Sequence, residues 1–247
     1  STTVSVVLTR VQAGRYFQSA RVWANEHDPN PGNNSLNDST LVVMSAGSLV
    51  NPSPIELLDN GPAAVYPTTI LVSNLQAAVF RVTVTLSNLS HSFPDDLDIL
   101  LVGPSGQSVV LMSDAGSGNS LANVTLTFDD TAAQPISDGG VIETGVYRPA
   151  NYGSLNDPFP APAPPKPYGQ TLSVFTNTNP NGVWSLYIVD DAEQDYGQLD
   201  GGWSLSLQTL YPIADLHLAM QGSASPAPLS SNLIYTITVG NNSPGAV

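Results

Sequence analysis

Two groups of carboxylates are the residues of this sequence best suited to chemistry. Asp95, Asp96 and Asp98 lie where a predicted strand begins, and Asp190 and Asp191 lie in a predicted turn between strands. Ca²⁺ takes six to eight oxygen ligands, and neither group has a Lys or Arg close by in the sequence. These five residues are therefore candidate Ca²⁺ ligands. In the alternative interpretation, the Asp side chains cap turns through Asx hydrogen bonds.

Other residues that could take part in metal binding or catalysis give a weaker signal of function. Asp129 and Asp130 form a third acidic group with the same two interpretations. His91 precedes the first group, and we predict that it is a hydrogen-bonded structural residue rather than a metal ligand. No G-x-S-x-G nucleophile elbow is present, and the lack of cysteine excludes a thiolate nucleophile and Cys-ligated zinc. The sequence therefore predicts a protein that is not an enzyme.

Charge and hydropathy narrow the set of partners. The 247 residues include 20 acidic and 6 basic side chains, for a formal net charge of -14. Nucleic acids and anionic lipids are bound through Lys and Arg, so neither is an expected partner. No stretch approaches the roughly 20 apolar residues of a membrane span. Without an initiator Met or a signal sequence, the chain is expected to be a mature or excised piece.

Period-two alternation along the chain predicts an all-β protein. In residues 78–87, Phe80, Val82 and Val84 are predicted on one face, while Arg81 and its alternating neighbours are predicted on the other. Similar runs are separated by short clusters of Pro, Gly, Asn and Asp, which is typical of an antiparallel sandwich or barrel. No amphipathic helical repeat of useful length occurs, and the 21 Pro and 20 Gly would interrupt long helices.

A proline-rich stretch, DPFPAPAPPKPYG at residues 157–169, interrupts this pattern. It is predicted to run as exposed polyproline II, because proline cannot donate to a sheet ladder. The favoured interpretation is a stiff surface loop, and the alternative is a ligand for a partner that binds proline.

The central block resembles the P, or Homo B, domain that follows the catalytic domain of subtilisin/kexin-type proteases. The matching stretches are LSHSFPDDLDILLVGPSGQSVVLMSDAG, TFDDTAAQPISDG, GVYRP, LSVFTNTNPNGVWSLYIVDDA and GQLDGGWSLSL. The resemblance implies a jelly-roll β-sandwich over residues 55–211 and permits Ca²⁺ binding, which some domains of this type show. Residues 49–54 are predicted to be a linker before it.

Both ends of the chain resemble parts of an Ig-like repeat common in bacterial and archaeal surface proteins. Residues 1–48, with the sequence DPNPGNN at 28–34, are similar to the end of such a repeat, and residues 212–247 are similar to its beginning. The resemblance implies an Ig-like sandwich split between the two termini. Its halves are expected to join through strands containing the following apolar residues: Leu233, Tyr235, Ile237, Val239, Val4, Val6 and Leu8.

The two halves can complete one another within one chain or between neighbouring chains, and a third alternative is a window cut from a longer array of repeats. We favour neighbouring chains, so the predicted partners are copies of the protein arranged head to tail. The sequence thus predicts a non-catalytic structural module of an extracellular surface fibre or repeat protein. One alternative is an accessory domain of a secreted subtilisin-like protease. Another is an adhesin that binds glycans or proteins through an aromatic platform: Tyr147, Tyr152, Phe159 and Tyr168.

Overall fold

A computed structural model describes residues 13–22, 25–75, 77–153, 159–210, 216–222 and 235–241. In these residues the strands, in chain order, are β1 (Gly14–Arg21), β2 (Ser35–Val42), β3 (Met44–Asn51), β4 (Ile55–Leu57), β5 (Gly61–Pro62), β6 (Thr68–Val72), β7 (Ala78–His91), β8 (Leu97–Val102), β9 (Ser108–Ser113), β10 (Leu121–Phe128), β11 (Gly145–Tyr147), β12 (Ala150–Asn151), β13 (Gly182–Asp190), β14 (Gly197–Leu199), β15 (Trp203–Leu210), β16 (Leu216–Gly222) and β17 (Tyr235–Asn241).

Helical structure in the described residues is limited to three short 3-10 turns, Pro31–Asn33, Pro94–Asp96 and Leu172–Phe175. No helix in these ranges is long and apolar enough to cross a bilayer. The all-β prediction is therefore confirmed. The chain divides into two compact units, of which one is Val43–Leu210 and the other combines Ser1–Val42 with Tyr211–Val247.

The central unit is a β-sandwich of two sheets. Sheet I contains β3, β4, β7, β10, β11, β14 and β15, and sheet II contains β5, β6, β8, β9, β12 and β13. Trp203 of sheet I and Trp184 of sheet II are both fully buried in the core between them. The Trp203 indole N–H donates to Thr68 Oγ1 of β6 at 3.2 Å, which ties sheet I to sheet II. The sandwich thus has an apolar core in which the buried indole N–H of Trp203 has a hydrogen-bond acceptor.

The two sheets bury their strands in different ways. Along β15, buried and half-buried residues alternate strictly, as expected for a strand with one face in the core. Along β9 all six residues are buried, and along β8 five of six are. A strand reads as a continuous apolar run when both of its faces are covered. A further layer must therefore cover the outer face of sheet II.

The proline-rich segment supplies that layer. Its residues 160–162 and 165–167 are exposed, as predicted, but the segment does not run as continuous polyproline II. Phe159 is only 8% exposed and packs with Tyr187 and Leu100 of sheet II. The Ala163 N–H donates to the Pro160 carbonyl at 3.1 Å and closes a turn, whereas polyproline II has no internal hydrogen bonds. The segment is a surface loop that Phe159, Ala163 and Tyr168 anchor to the apolar outer face of sheet II.

A bulge in β7 changes the predicted face of Phe80. Gln208 of β15 pairs with Arg81, but the next residue, Thr209, pairs with Val79, so the register shifts at this point. The shift places Val79 in the core and leaves Phe80 37% exposed. Beyond it, Val82 and Val84 are buried as predicted. One unpaired residue in a strand is enough to exchange the two faces.

The start of the sandwich lies earlier in the chain than the predicted linker at 49–54. Strand β3 pairs with β15 from Met44 to Asn51, so the predicted linker begins with the last residues of a strand. The Asn51 side-chain amide also donates to Thr68 Oγ1 at 3.1 Å. The residues of β3 are mostly small or polar, and their pairing with an edge of sheet I leaves a weak apolar signal in the sequence.

The terminal unit contributes two antiparallel strand pairs. Strand β1 pairs with β2 over eight positions, and β16 pairs with β17 over seven. Three of the predicted assembly residues lie in β17, where Tyr235 is opposite Gly222, Ile237 is opposite Met220 and Val239 is opposite Leu218. The other four lie outside the described residues: Val4, Val6, Leu8 and Leu233.

Candidate functional site

The two predicted acidic groups meet because β8 and β13 are antiparallel neighbours. Leu97 at the start of β8 is opposite Asp190 at the end of β13, and the Asp191 N–H donates to the Asp96 carbonyl at 3.0 Å. The 3-10 turn Pro94–Asp96 precedes β8 and places Asp95 and Asp96 at this end of the sheet. Strand pairing therefore brings together carboxylates that are distant in the sequence.

The five candidate ligands nevertheless do not form one site. Directly opposite residues share a face of a sheet, so Asp190 lies on the core side with Leu97, whereas Asp98 shares the outer side with Val189. Both carboxylates are buried, at 1% exposure for Asp190 and 2% for Asp98. A single ion could not take ligands from both faces of the same strands.

Asp190 is held by His91 on the core side. The His91 Nε2 and Asp190 Oδ2 atoms are 3.0 Å apart, and the other oxygen, Oδ1, accepts from the Ala192 N–H at 3.2 Å. The Phe93 N–H donates to His91 Nδ1 at 3.3 Å. Because Nδ1 accepts, the ring is neutral and its Nε2–H donates to the carboxylate. Both ring nitrogens are occupied, so the prediction that His91 is a structural residue is confirmed.

The chain leaves room for the His91 ring at one specific residue. A Cβ on Gly197 of β14 would clash with His91 Cδ2 and with the Ser90 carbonyl oxygen. Glycine is therefore required where β14 passes over the imidazole. A cavity of about 270 Å³ opens beside it, with Ser92, Leu121 and Tyr196 among its lining residues. The imidazole Nε2 contacts Asp190, and Nδ1 accepts from the Phe93 N–H.

The acids that stay near solvent repel one another. Burial, followed by the negative charges of Asp190, Asp195, Asp191 and Asp95, raises the pKa of Asp96 to about 7. Asp195 is fixed by the Ser92 hydroxyl, which donates to its Oδ1 at 2.7 Å. The result is a concentration of negative charge at this end of β8 and β13, centred on Asp96.

Calcium binding gains no direct geometric support from this arrangement. The described ranges contain no group of three or more His, Cys, Asp or Glu side chains placed to hold a metal ion. Both carboxylate oxygens of Asp190 accept hydrogen bonds from the protein, and Asp98 lies on the outer face of sheet II. The residues present do not fit one Ca²⁺ site built from all five carboxylates, and calcium stays a prediction of the sequence.

The third acidic group, Asp129 with Asp130, has protein partners. Asp129 forms an ion pair with Arg81 and accepts the Thr131 N–H at 3.0 Å. Burial would raise the pKa of Asp129, but the Thr131 N–H and the Arg81 guanidinium outweigh burial and hold it below its usual value. Asp130 accepts the N–H groups of Leu172 and Ser173 at 2.8 and 2.7 Å, which caps the 3-10 turn that follows. No Arg lies near Asp129 in the sequence, but the fold brings Arg81 into contact with it.

The predicted aromatic platform does not exist as an exposed surface. Phe159 is buried, and the hydroxyls of Tyr147, Tyr152 and Tyr168 donate to backbone carbonyls at 2.9, 2.7 and 2.8 Å. A glycan platform needs rings open to solvent, whereas these rings are partly or fully packed. These four residues therefore give no support to the interpretation as an adhesin.

Two solved structures to which this chain has a distant similarity are of one serine protease. One is the crystal structure of the serine protease of Aeromonas sobria, with 14% identity and a TM-score of 0.36, covering 69% of this chain and 28% of that chain. Another is the complex of that protease with the chaperone ORF2, with 15% identity and a TM-score of 0.37, covering 68% of this chain and 27% of that chain. This chain thus spans under a third of their length. No curated protein matches it.

The sequence model of the proprotein convertase P-domain matches residues 79–207. This interval begins in β7 and ends in β15, so it contains the central strands of both sheets, the His91–Asp190 contact and the proline-rich segment. The match spans more than half of the chain. The chain therefore belongs to the proprotein convertase P-domain family.

Proposed function

We propose that the chain is a non-catalytic structural module of a secreted surface fibre or repeat protein. In this proposal the P-domain sandwich is a bead, and the terminal strand pairs join successive modules head to tail by strand complementation. One observation carries it: segments from the two opposite ends of the sequence, Ser1–Val42 and Tyr211–Val247, fall into one compact unit. A unit made of both termini can be completed by the next copy of the chain as well as by its own.

The strand pairs provide the physical drive for such a joint. A two-stranded sheet is marginal in water, and its edges present unpaired N–H and C=O groups that favour addition of a strand. The β1–β2 pair also leaves apolar side chains in solvent, with Phe17 79% and Leu36 70% exposed. Strand addition from a neighbouring chain would satisfy the backbone groups and cover apolar surface together.

An extracellular location is part of the same proposal. The formal net charge of -14 favours a soluble surface on which modules repel one another except where specific contacts join them. The sandwich reaches its closed core without any cysteine, so it does not depend on a particular redox compartment for folding.

The proposal is tested by substituting neighbouring residues of β17. Adjacent strand residues lie on opposite faces; Thr238 is exposed, and Ile237 is its apolar neighbour. We expect the wild-type chain to form end-to-end assemblies as its concentration rises, measured by sedimentation velocity and electron microscopy. Ile237→Asp should abolish assembly without changing the melting of the sandwich, and the matched control Thr238→Asp should assemble normally. A wild-type chain that stays monomeric at every concentration would contradict the proposal.

A second candidate function is an accessory role in a secreted subtilisin-like protease. The match of residues 79–207 to the proprotein convertase P-domain favours it. The coding sequence upstream of Ser1 distinguishes the two. A subtilisin-type catalytic domain in the same reading frame would support the protease role, and further Ig-like repeats would support the fibre.

A further inference from the structure

The proline-rich segment packs on the outer face of sheet II. Its floor is apolar: Leu100 of β8 lies opposite Tyr187 of β13 on one side and Val110 of β9 on the other, and Val189 continues the patch. Residues 159–168, with the sequence FPAPAPPKPY, cross this floor and are called the strap below. Phe159 and Tyr187 are buried in the contact, at 8% and 6% exposure.

Tyrosine hydroxyls bind the strap by its carbonyl groups. The Tyr66 hydroxyl donates to the Pro160 carbonyl at 3.0 Å, and the Tyr187 hydroxyl donates to the Pro162 carbonyl at 3.3 Å. Pro160 and Pro162 are two residues apart in one segment, and the two tyrosines come from separate parts of the chain. Proline has no N–H, so carbonyl acceptors and ring faces are all that its backbone offers to a partner. Aromatic-lined grooves also bind proline-rich peptides in other proteins.

Ring packing and the far end of the strap complete the contact. Tyr66 packs edge-on against Tyr187, with ring centroids 4.9 Å apart, and Phe159 packs edge-on against Tyr168 at 5.5 Å. After the strap, Gly169 donates to the Ser108 carbonyl at 2.8 Å and accepts from the Val110 N–H at 3.1 Å. The strap is thus held by side chains along its length and by backbone bonds at its end.

The donors keep their protons at physiological pH. Burial raises the pKa of the Tyr66, Tyr168 and Tyr187 hydroxyls above the usual value of a tyrosine, so they remain hydrogen-bond donors. Phe159, Ala163 and Tyr168 contact the floor through apolar groups, and the Pro160 and Pro162 carbonyls accept neutral hydrogen bonds.

We infer that the outer face of sheet II is a recognition surface for proline-rich segments, and that the strap of a second copy of this chain binds it when the resident strap is released. All the contacts between strap and sheet are non-covalent, so a strap supplied from outside can make the same ones. The resident strap wins in the intact monomer because its tether gives it an effective concentration of about 1 mM or more. Exchange of straps would link two sandwiches side by side, independently of the terminal strands.

The test uses a fluorescein-labelled peptide, FPAPAPPKPY, and the full chain with residues 159–168 replaced by ten Gly and Ser residues. We expect saturable binding to the strap-replaced chain by fluorescence polarisation, and much weaker binding to the intact chain, because the tethered strap competes at an effective concentration of about 1 mM or more. Tyr66→Phe with Tyr187→Phe in the strap-replaced chain should weaken binding at least tenfold, whereas the control Tyr152→Phe should leave it unchanged. A folded strap-replaced chain that binds the peptide no better than a scrambled peptide would overturn the inference.

A second measurement applies if the strap-replaced chain does not fold. In the otherwise intact chain, Tyr66→Phe with Tyr187→Phe should accelerate hydrogen exchange of the Ala163 and Gly169 amides at least tenfold, because the strap opens more often. Tyr152→Phe, which removes a hydroxyl bonded to the Ile136 carbonyl, should leave these amides as slow as in the wild type. Unchanged exchange in the double variant would show that the hydroxyls do not hold the strap, and would overturn the inference.

Discussion

His91 and Asp190, which are 99 residues apart in the sequence, are joined by a hydrogen bond of 3.0 Å inside the sandwich. The His91 side chain is fully buried and that of Asp190 is 1% exposed. The bond links the end of β7 in sheet I to the end of β13 in sheet II. The pair therefore fastens the two sheets at the end of the sandwich where the acidic residues gather.

Removing the imidazole should destabilise the sandwich strongly. In His91→Leu, the Asp190 carboxylate loses its ring partner inside the protein, so we expect a loss of about 3 kcal/mol in the free energy of unfolding. Urea titration at neutral pH measures it. The exposed His27 provides the control, since His27→Leu should change the free energy by under about 0.5 kcal/mol. Equal stabilities of the two variants would contradict a structural role for the buried pair.

The charge around Asp96 should make stability fall as pH rises. The pKa of Asp96 is about 7 in the folded protein, against an ordinary value of 3.8. Between these values the folded protein keeps a proton that the unfolded chain has released, so stability decreases from about pH 4 to about pH 7 and then levels off. Asp96→Asn removes the charge, and its melting temperature should exceed that of the wild type at pH 8 but not at pH 4.

Thermal melts of both proteins across this pH range check the sign. Asp200→Asn is the matched control, because Asp200 is an exposed carboxylate of the same sandwich. It should follow the wild-type profile. If Asp96→Asn also follows that profile, the repulsion among the acids does not affect folding.

The Arg81–Asp129 pair should contribute stability that is lost in acid. The pKa of Asp129 lies below its usual value, so its contribution is present above about pH 4 and disappears as pH falls through the lowered pKa. Arg81→Met should reduce the free energy of unfolding by about 1–2 kcal/mol at pH 7, with a discount because Arg81 is 36% exposed. At pH 2 the variant and the wild type should converge. Arg81→Lys, which keeps the charge without the planar fork, should fall between them at pH 7.

Much of the fold follows from short-range patterns in the sequence. Alternation predicts β15 residue by residue, because that strand has one face in the core and one near solvent. The same rule fails at Phe80, since a bulge depends on how β7 pairs with β15 and leaves no local signal. The mostly apolar runs of β8 and β9 do carry a signal of double coverage, but the covering strap is distant in sequence and rich in proline.

The candidate site was predictable in composition but not in geometry. The sequence identifies the acids of β8 and β13, and pairing of these strands brings them to one end of sheet II. It does not show that Asp98 and Asp190 lie on opposite faces, because that depends on the register between the strands. Nor does it show that Arg81, 48 residues before Asp129, reaches that carboxylate across the sheet. Distances along the chain say little about such contacts.

Calcium binding is the remaining expectation from the sequence, and it depends on the acidic residues near solvent, which are called the loop acids below. Asp95, Asp96 and Asp191 lie together near solvent, whereas Asp98 and Asp190 are buried on separate faces. We therefore expect any stabilisation by Ca²⁺ to depend on the loop acids.

An ion bound only to the folded state at one hundred times its Kd adds about 2.7 kcal/mol to the free energy of unfolding, so excess chelator should lower the melting temperature and added Ca²⁺ should restore it. Asp96→Asn should reduce this response, and Asp200→Asn should keep it. The measurement is made at pH 8, where the Asp96 carboxylate is ionised and the repulsion that a cation would relieve is greatest. Identical melting curves in chelator and in Ca²⁺ would remove the ion from this protein, and would leave the acids as a source of repulsion alone.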